Sequence, residues 1–271
     1  MATERDMTIG AAGTQVPELY WEARGSGPAV LLVPGTPGDG GQFEELAHAL
    51  ARDHLVITYD RRGTSRSARS SVGEAVSVAD HADDAAVVLT DASVEQALVF
   101  GTSNGALVAL ELALRHPNRV VGAILHEPPL LSVVDDPQPV ADAMGAVIGG
   151  AMESGGPREA LNAFLRFAYG DEIVSGWSED LRERMLSNAE AVFTTELPAF
   201  QSYRPDADDL RRCAVPVELL VGASQPMPFF REAAEWLAEN LGARVAVAPG
   251  AHGPQFSDPV GLARTIRAFH P

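Results

Sequence analysis

Short runs of aliphatic and β-branched residues alternate with longer amphipathic segments along most of this chain, and that alternation narrows the fold more than any other feature. A strand followed by a helix and a second strand sets the two strands parallel, with the helix lying across the sheet face. The strand candidates are 16–23, 29–33, 54–59, 97–100, 120–125, 215–221 and 243–248. Helical patterns lie between or after them at 43–51, 78–89, 106–115, 229–241 and 259–269. Asp258 before Pro259 reads as an N-cap followed by proline at the first helical position. The expected class is α/β with a largely parallel sheet.

The alternation fails over residues 130–210, too long a stretch for a plain crossover. Helical patterns at 140–152, 158–167 and 179–193 occupy it, broken by Gly155-Gly156-Pro157, Tyr169-Gly170-Asp171 and Pro198. The expected organisation is a core domain of residues 1–129 and 211–271 with a helical cap, or lid, at 130–210. The large apolar residues of that segment form its own small core or, for a few of them, line a pocket beneath it.

Composition excludes several classes of partner. Twenty basic residues, all arginine, stand against 37 acidic ones, a formal net charge of −17. Affinity for a phosphate backbone rests on clustered positive charge, so no nucleic-acid partner is expected. Cys213 is the only cysteine, which leaves no disulfide framework or thiolate metal cluster. No apolar run approaches the length of a membrane span, and MATERDMTIG lacks the pattern of a secretory signal. The expectation is a soluble cytoplasmic protein, monomer or homodimer, without metal or organic cofactor.

Ligands of an open parallel sheet bind at the carboxyl ends of its strands, so the turns that follow strands carry the chemistry. Gly101-Thr102-Ser103-Asn104-Gly105 stands directly after one strand and before a helix, the strand–turn–helix context of the GxSxG nucleophile elbow. A serine hydroxyl is a weak nucleophile at neutral pH and needs a histidine base, itself oriented by a carboxylate. Of seven histidines, His252 alone combines a late position, a loop and a post-strand location, in Pro249-Gly250-Ala251-His252-Gly253. The turn after 215–221, where this architecture usually carries the acid, reads Gly222-Ala223-Ser224-Gln225-Pro226 and holds no carboxylate. Strand 120–125 ends instead in His126-Glu127-Pro128-Pro129. Strand residues alternate faces, so one of His126 and Glu127 points at the site, and Glu127 is the candidate acid. Asp135 and Asp136 are reserves. An oxyanion hole needs two backbone N–H donors. Asn104, after the nucleophile, supplies one; Thr36 in Val33-Pro34-Gly35-Thr36-Pro37-Gly38 supplies the other, since Pro37 has no N–H.

With PGTPG, YDRRGTSRS at 59–67, GTSNG and PGAH in this order, the chain resembles the α/β-hydrolase family over nearly its whole length. The resemblance implies a mostly parallel eight-stranded sheet flanked by helices, with the inserted cap. It also makes Asp60 a structural capping residue, and Pro34 stands where the family usually carries histidine. Within the family the chain is similar to the zearalenone-type lactonases, which open a resorcylic macrolactone and place the catalytic Glu after the sixth strand. That likeness rests on His126-Glu127-Pro128-Pro129, on Val221-Gly222-Ala223 with Pro226 and Phe229-Phe230, and on Pro249-Gly250-Ala251-His252 with Pro254, Ser257 and Pro259. It implies a Ser103–His252–Glu127 triad acting on a neutral ester or lactone. Where those lactonases present a tryptophan to the substrate, the match here is Phe193, with Trp177 as substitute and Pro128 as a further substrate contact. An acyltransferase or cyclase using the same acyl-enzyme, and a non-catalytic small-ligand binder, are the other readings. Dehalogenases and epoxide hydrolases of this family carry Asp where Ser103 stands.

Overall fold

The computed structural model describes residues 7–12, 18–67 and 75–270. Its strands are β1 Met7–Ala12, β2 Leu19–Gly25, β3 Ala29–Val33, β4 Leu55–Tyr59, β5 Ala97–Thr102, β6 Val120–His126, β7 Val217–Gly222 and β8 Arg244–Ala248. They form one eight-stranded sheet in the order β1-β2-β4-β3-β5-β6-β7-β8. The pairs β1–β2 and β2–β4 are antiparallel, and every other pair is parallel. Of the strand expected at 16–23, residues 16 and 17 lie outside the described residues. β1 carries little strand signal in the sequence: MTIGAA is half glycine and alanine, weak strand formers without alternation.

Burial follows position in the sheet. Central β3, β5 and β6 are almost wholly buried because helices cover both faces, which explains their continuous apolar runs. The antiparallel β2 alternates, burying Leu19, Trp21 and Ala23. The helices on the sheet are α1 Glu44–Leu50, α2 Val78–Asp91 and α3 Asn104–Arg115, and later α10 Phe229–Leu241 and α12 Pro259–Ala268. One apolar cluster joins the sheet to α2, α3 and α10, and another joins the opposite face to α1 and α12. Start signals act as their chemistry requires: Ser77 and Asp80 close a reciprocal capping box on α2, and Asp258 accepts the Gly261 N–H at 2.8 Å ahead of Pro259.

Between β6 and β7 lie α4 Gln138–Tyr169, α5 Asp171–Ser175, α6 Glu179–Ser187, α7 Ala189–Ala191, a π-turn Val192–Glu196, α8 Leu197–Ser202 and α9 Ala207–Arg211. The short α11 Pro254–Ser257 follows β8. The helices expected at 140–152 and 158–167 run into one another as α4, but Gly156 (φ 71°, ψ −165°) separates two helical halves. The single helix expected at 179–193 is divided. Asn188 ends α6 and turns its side chain to the loops after β3 and β4, accepting from Ser65 N at 2.7 Å and donating to the Pro37 carbonyl at 3.1 Å. Leu161, Leu165, Tyr169, Val174, Leu186 and Val192 form the insertion's own buried cluster.

Candidate active site

The elbow is built by steric necessity. Ser103 has φ 53° and ψ −129°, a backbone conformation rare for a residue with a side chain, between the end of β5 and the first turn of α3. A Cβ at Gly101 would stand 2.2 Å from the Gly105 carbonyl oxygen, and one at Gly105 would stand 2.3 Å from that of Val33. Helix and strand therefore approach this closely only because both flanking positions are glycine. The turn is pinned by Ser103 N–H donating to the His126 carbonyl at 2.9 Å.

The loop after β3 lies against the elbow. A Cβ at Gly35 would meet Ser103 Cβ at 3.1 Å. Asn104 Nδ2 donates to Thr36 Oγ1 at 2.8 Å, so the side chains of the two residues expected to form the oxyanion hole are in contact. The Asn104 N–H belongs to the first turn of α3, where helical geometry offers no partner. Tyr169 from the insertion donates its hydroxyl to the Thr36 carbonyl at 3.4 Å, and Arg61 Nη1 donates to that of Pro34 at 2.6 Å. Asp60 is buried and accepts from Gly40 N at 2.8 Å and from Arg66 Nε at 2.7 Å.

Glu127 follows β6 with φ 47° and is fully buried. Its carboxylate accepts from Gly222 N at 2.8 Å through Oε1; Oε2 meets Gln225 Nε2 and His252 Nδ1, each at 2.6 Å. Burial acts to raise its pKa. The His252 hydrogen bond, the two nearby imidazoles and the Gly222 N–H outweigh that and hold it at about 2. A carboxylate that only accepts fixes the proton of His252 on Nδ1 and leaves the lone pair on Nε2. The imidazole is buried and stacks on Phe230, with ring centroids 4.7 Å apart, and on Tyr169 at 5.7 Å. His126 points elsewhere: its Nδ1 pairs with Thr102 Oγ1 at 2.9 Å, and burial depresses its pKa to about 4. Asp135 and Asp136 are exposed, and Asp135 N–H is bonded to Glu232.

Ser103, Asn104 and His252 open on one cavity of about 440 Å³. Its walls are largely apolar, from Met144, Phe164, Phe167, Leu197, Phe200, Met227, Phe229 and Phe230, with Gln201, Tyr203 and Arg204 among its polar lining. The expected substrate contacts differ. Trp177 packs on Tyr169 and Phe256, at 6.0 and 5.2 Å between ring centroids, inside the insertion core. Phe193 joins the same core, and Pro128 is buried while its neighbour Pro129 lines the cavity. Apolar spacing marks these residues as interior without saying which interior they face. Gln225 and Tyr169 are further residues at the site; of the two, Gln225 carries a sequence signal, since it occupies the turn after β7. Among the described residues, no cluster of three or more His, Cys, Asp or Glu is disposed to hold a metal ion, and no helix is long and apolar enough to cross a membrane.

Comparison with known proteins agrees with this architecture. A family described as alpha/beta hydrolase fold matches residues 28–152. An uncharacterized hydrolase, YraK, of Bacillus subtilis is 44% identical over 130 residues, covering 47% of this chain and 48% of its own, so the match spans about half that relative's length. A zearalenone hydrolase of Cladophialophora bantiana is 28% identical over 250 residues, covering 91% of this chain and 90% of its own. Among solved structures, the enol-lactonase of Burkholderia xenovorans superposes with a TM-score of 0.75 at 18% identity, over 95% of this chain and 98% of its own.

Proposed function

Because this chain has the α/β-hydrolase fold, we propose that it is a serine hydrolase that cleaves a carboxylic ester or lactone through Ser103, His252 and Glu127. The observation that carries the reading is the 2.6 Å contact of His252 Nδ1 with the buried Glu127 carboxylate, on an imidazole that shares one apolar cavity with the elbow serine. His252 Nε2 takes the Ser103 Oγ proton as the oxygen attacks the substrate carbonyl. The Thr36 and Asn104 N–H groups stabilise the oxyanion. The departing alcohol receives the proton from His252, and a water deprotonated by His252 then releases the acid and restores Ser103. In this reading residues 130–210 act as a cap over the core domain of 1–129 and 211–271.

The cavity favours a neutral substrate with a bulky apolar body, since a charge there would be desolvated against Met and Phe side chains. A resorcylic macrolactone is the specific candidate, supported by likeness over nine-tenths of the chain to proteins named zearalenone hydrolases. The test is product analysis by mass spectrometry with aryl esters, small lactones and resorcylic macrolactones, comparing wild type with Ser103→Ala and Glu127→Gln. Addition of one water by wild type alone supports the reading, and the reactive compound fixes the substrate class. Wild-type turnover in Ser103→Ala would overturn it, and a product carrying an added alcohol acceptor would make the protein an acyltransferase.

A further inference from the structure

We propose that Gln225 is a positioning residue of this proton-transfer system, its side-chain amide clamping Glu127 so that one carboxylate oxygen stays aimed at His252. The inference rests on the serine-hydrolase reading and adds to it a residue from the turn after a different strand. Gln225 stands in the turn after β7, the place where this architecture usually carries the acid itself. Its Nε2 reaches the same Oε2 that His252 Nδ1 contacts, both at 2.6 Å, while Gly222 N–H holds Oε1 at 2.8 Å.

Chemistry fixes which way the amide faces. The Met227 backbone N–H donates to Gln225 Oε1 at 3.0 Å, and an ionised carboxylate can only accept, so Nε2 must face Glu127. The terminal torsion of a carboxylate is otherwise broad, and a histidine contact alone leaves it free to turn. With Oε1 held by one strand-end N–H and Oε2 by the amide, rotation about that bond breaks two hydrogen bonds. An acid at position 225 would donate only while it kept its proton; once ionised it would offer Glu127 no hydrogen bond and would repel its charge. Glutamine supplies the donor without the charge. Met227 also belongs to the cavity wall, so the same amide ties the acid to a surface that substrate touches.

The test measures hydrolysis of a p-nitrophenyl ester by wild type, Gln225→Leu, Gln225→Glu and Glu127→Gln between about pH 5 and pH 9, with a thermal melt for each. Gln225→Leu is expected to lose about tenfold to a hundredfold in kcat with KM nearly unchanged, the rate equivalent of one charge-assisted hydrogen bond that matters only while His252 carries a proton. In Gln225→Glu the rate relative to wild type is expected to be lowest at high pH. It climbs as pH falls, because the introduced carboxyl regains a proton and donates again. A ratio that is flat with pH alongside a lowered melting temperature would reduce Gln225 to a packing role and overturn the inference. So would wild-type kcat in both Gln225 variants while Glu127→Gln is slow, which leaves the triad standing. A wild-type rate in Glu127→Gln would remove the serine-hydrolase reading itself.

Discussion

At Ser103 the chain holds a side chain in a backbone region that usually falls to glycine, and the neighbouring glycines are what make the strain sustainable. A methyl group at Gly105 would press on two backbone carbonyls, those of Val33 at 2.3 Å and Pro34 at 2.6 Å, neither of which can swing aside as a side chain would. Gly105→Ala is therefore expected to cost about 3 kcal/mol, the upper end for overpacked sites, read as a fall in the urea midpoint. Gly145 is the contrast. It lies inside α4 with nothing within 4 Å of a built Cβ, so the only effect of a methyl group there is on chain entropy. Gly145→Ala is expected to stabilise by about 0.5–1 kcal/mol. Equal effects at the two positions would show that the close approach at the elbow is not a constraint.

Among elements, the helices between β6 and β7 are tied to the turns at the sheet's edge by a few strong polar contacts. Arg61, in the turn after β4, pairs with Glu196 on the π-turn through Nε at 3.0 Å and Nη2 at 2.6 Å, with both side chains buried. The same guanidinium lies over Phe200 of the cavity wall, 5.1 Å from the ring centroid. Neutralising one partner strands the other charge in a dry interior. Glu196→Gln is accordingly expected to cost about 3–5 kcal/mol by urea unfolding, and a loss below about 1 kcal/mol would mean that Arg61 reaches water. These contacts also explain which parts of the fold could be read from sequence. Helix 229–241 was legible because its apolar face repeats cleanly and Gly242, with φ 64°, stops it. Helix 179–193 was not, because Asn188 breaks it through Ser65 and the Pro37 carbonyl, partners more than a hundred residues away. The site divides similarly. Ser103, His252 and Glu127 follow strand ends, where topology alone gathers residues. Trp177 and Phe193 depend on how the insertion folds upon itself, and apolar patterning does not separate a cavity wall from a private core.

For the whole molecule, two electrostatic effects of opposite sign meet as the solution is acidified. A formal charge of −17 repels itself, so protonating surface carboxylates relieves strain in the folded state. Buried histidines act the other way. Burial holds His126 at about 4 in the folded chain against an ordinary 6.5; burial, then the charges of Arg61 and Arg62, keeps His81 well below 6.5, with neither ring nitrogen hydrogen-bonded. Both sites therefore favour the folded state above pH 6.5 and surrender that preference as pH falls, since the unfolded chain binds those protons first. For His126 alone the shift corresponds to about 3 kcal/mol by pH 4. Salt separates the two effects: about 0.5 M salt screens surface repulsion over distances beyond several ångströms and leaves buried titrations nearly untouched. At that salt, the urea midpoint is expected to fall steadily from pH 7.5 to pH 5, whereas at low salt the decline is blunted. The His126→Leu variant should lose less than wild type over the same interval. A midpoint that rises on acidification in high salt would mean that both imidazoles already take up their protons within the fold.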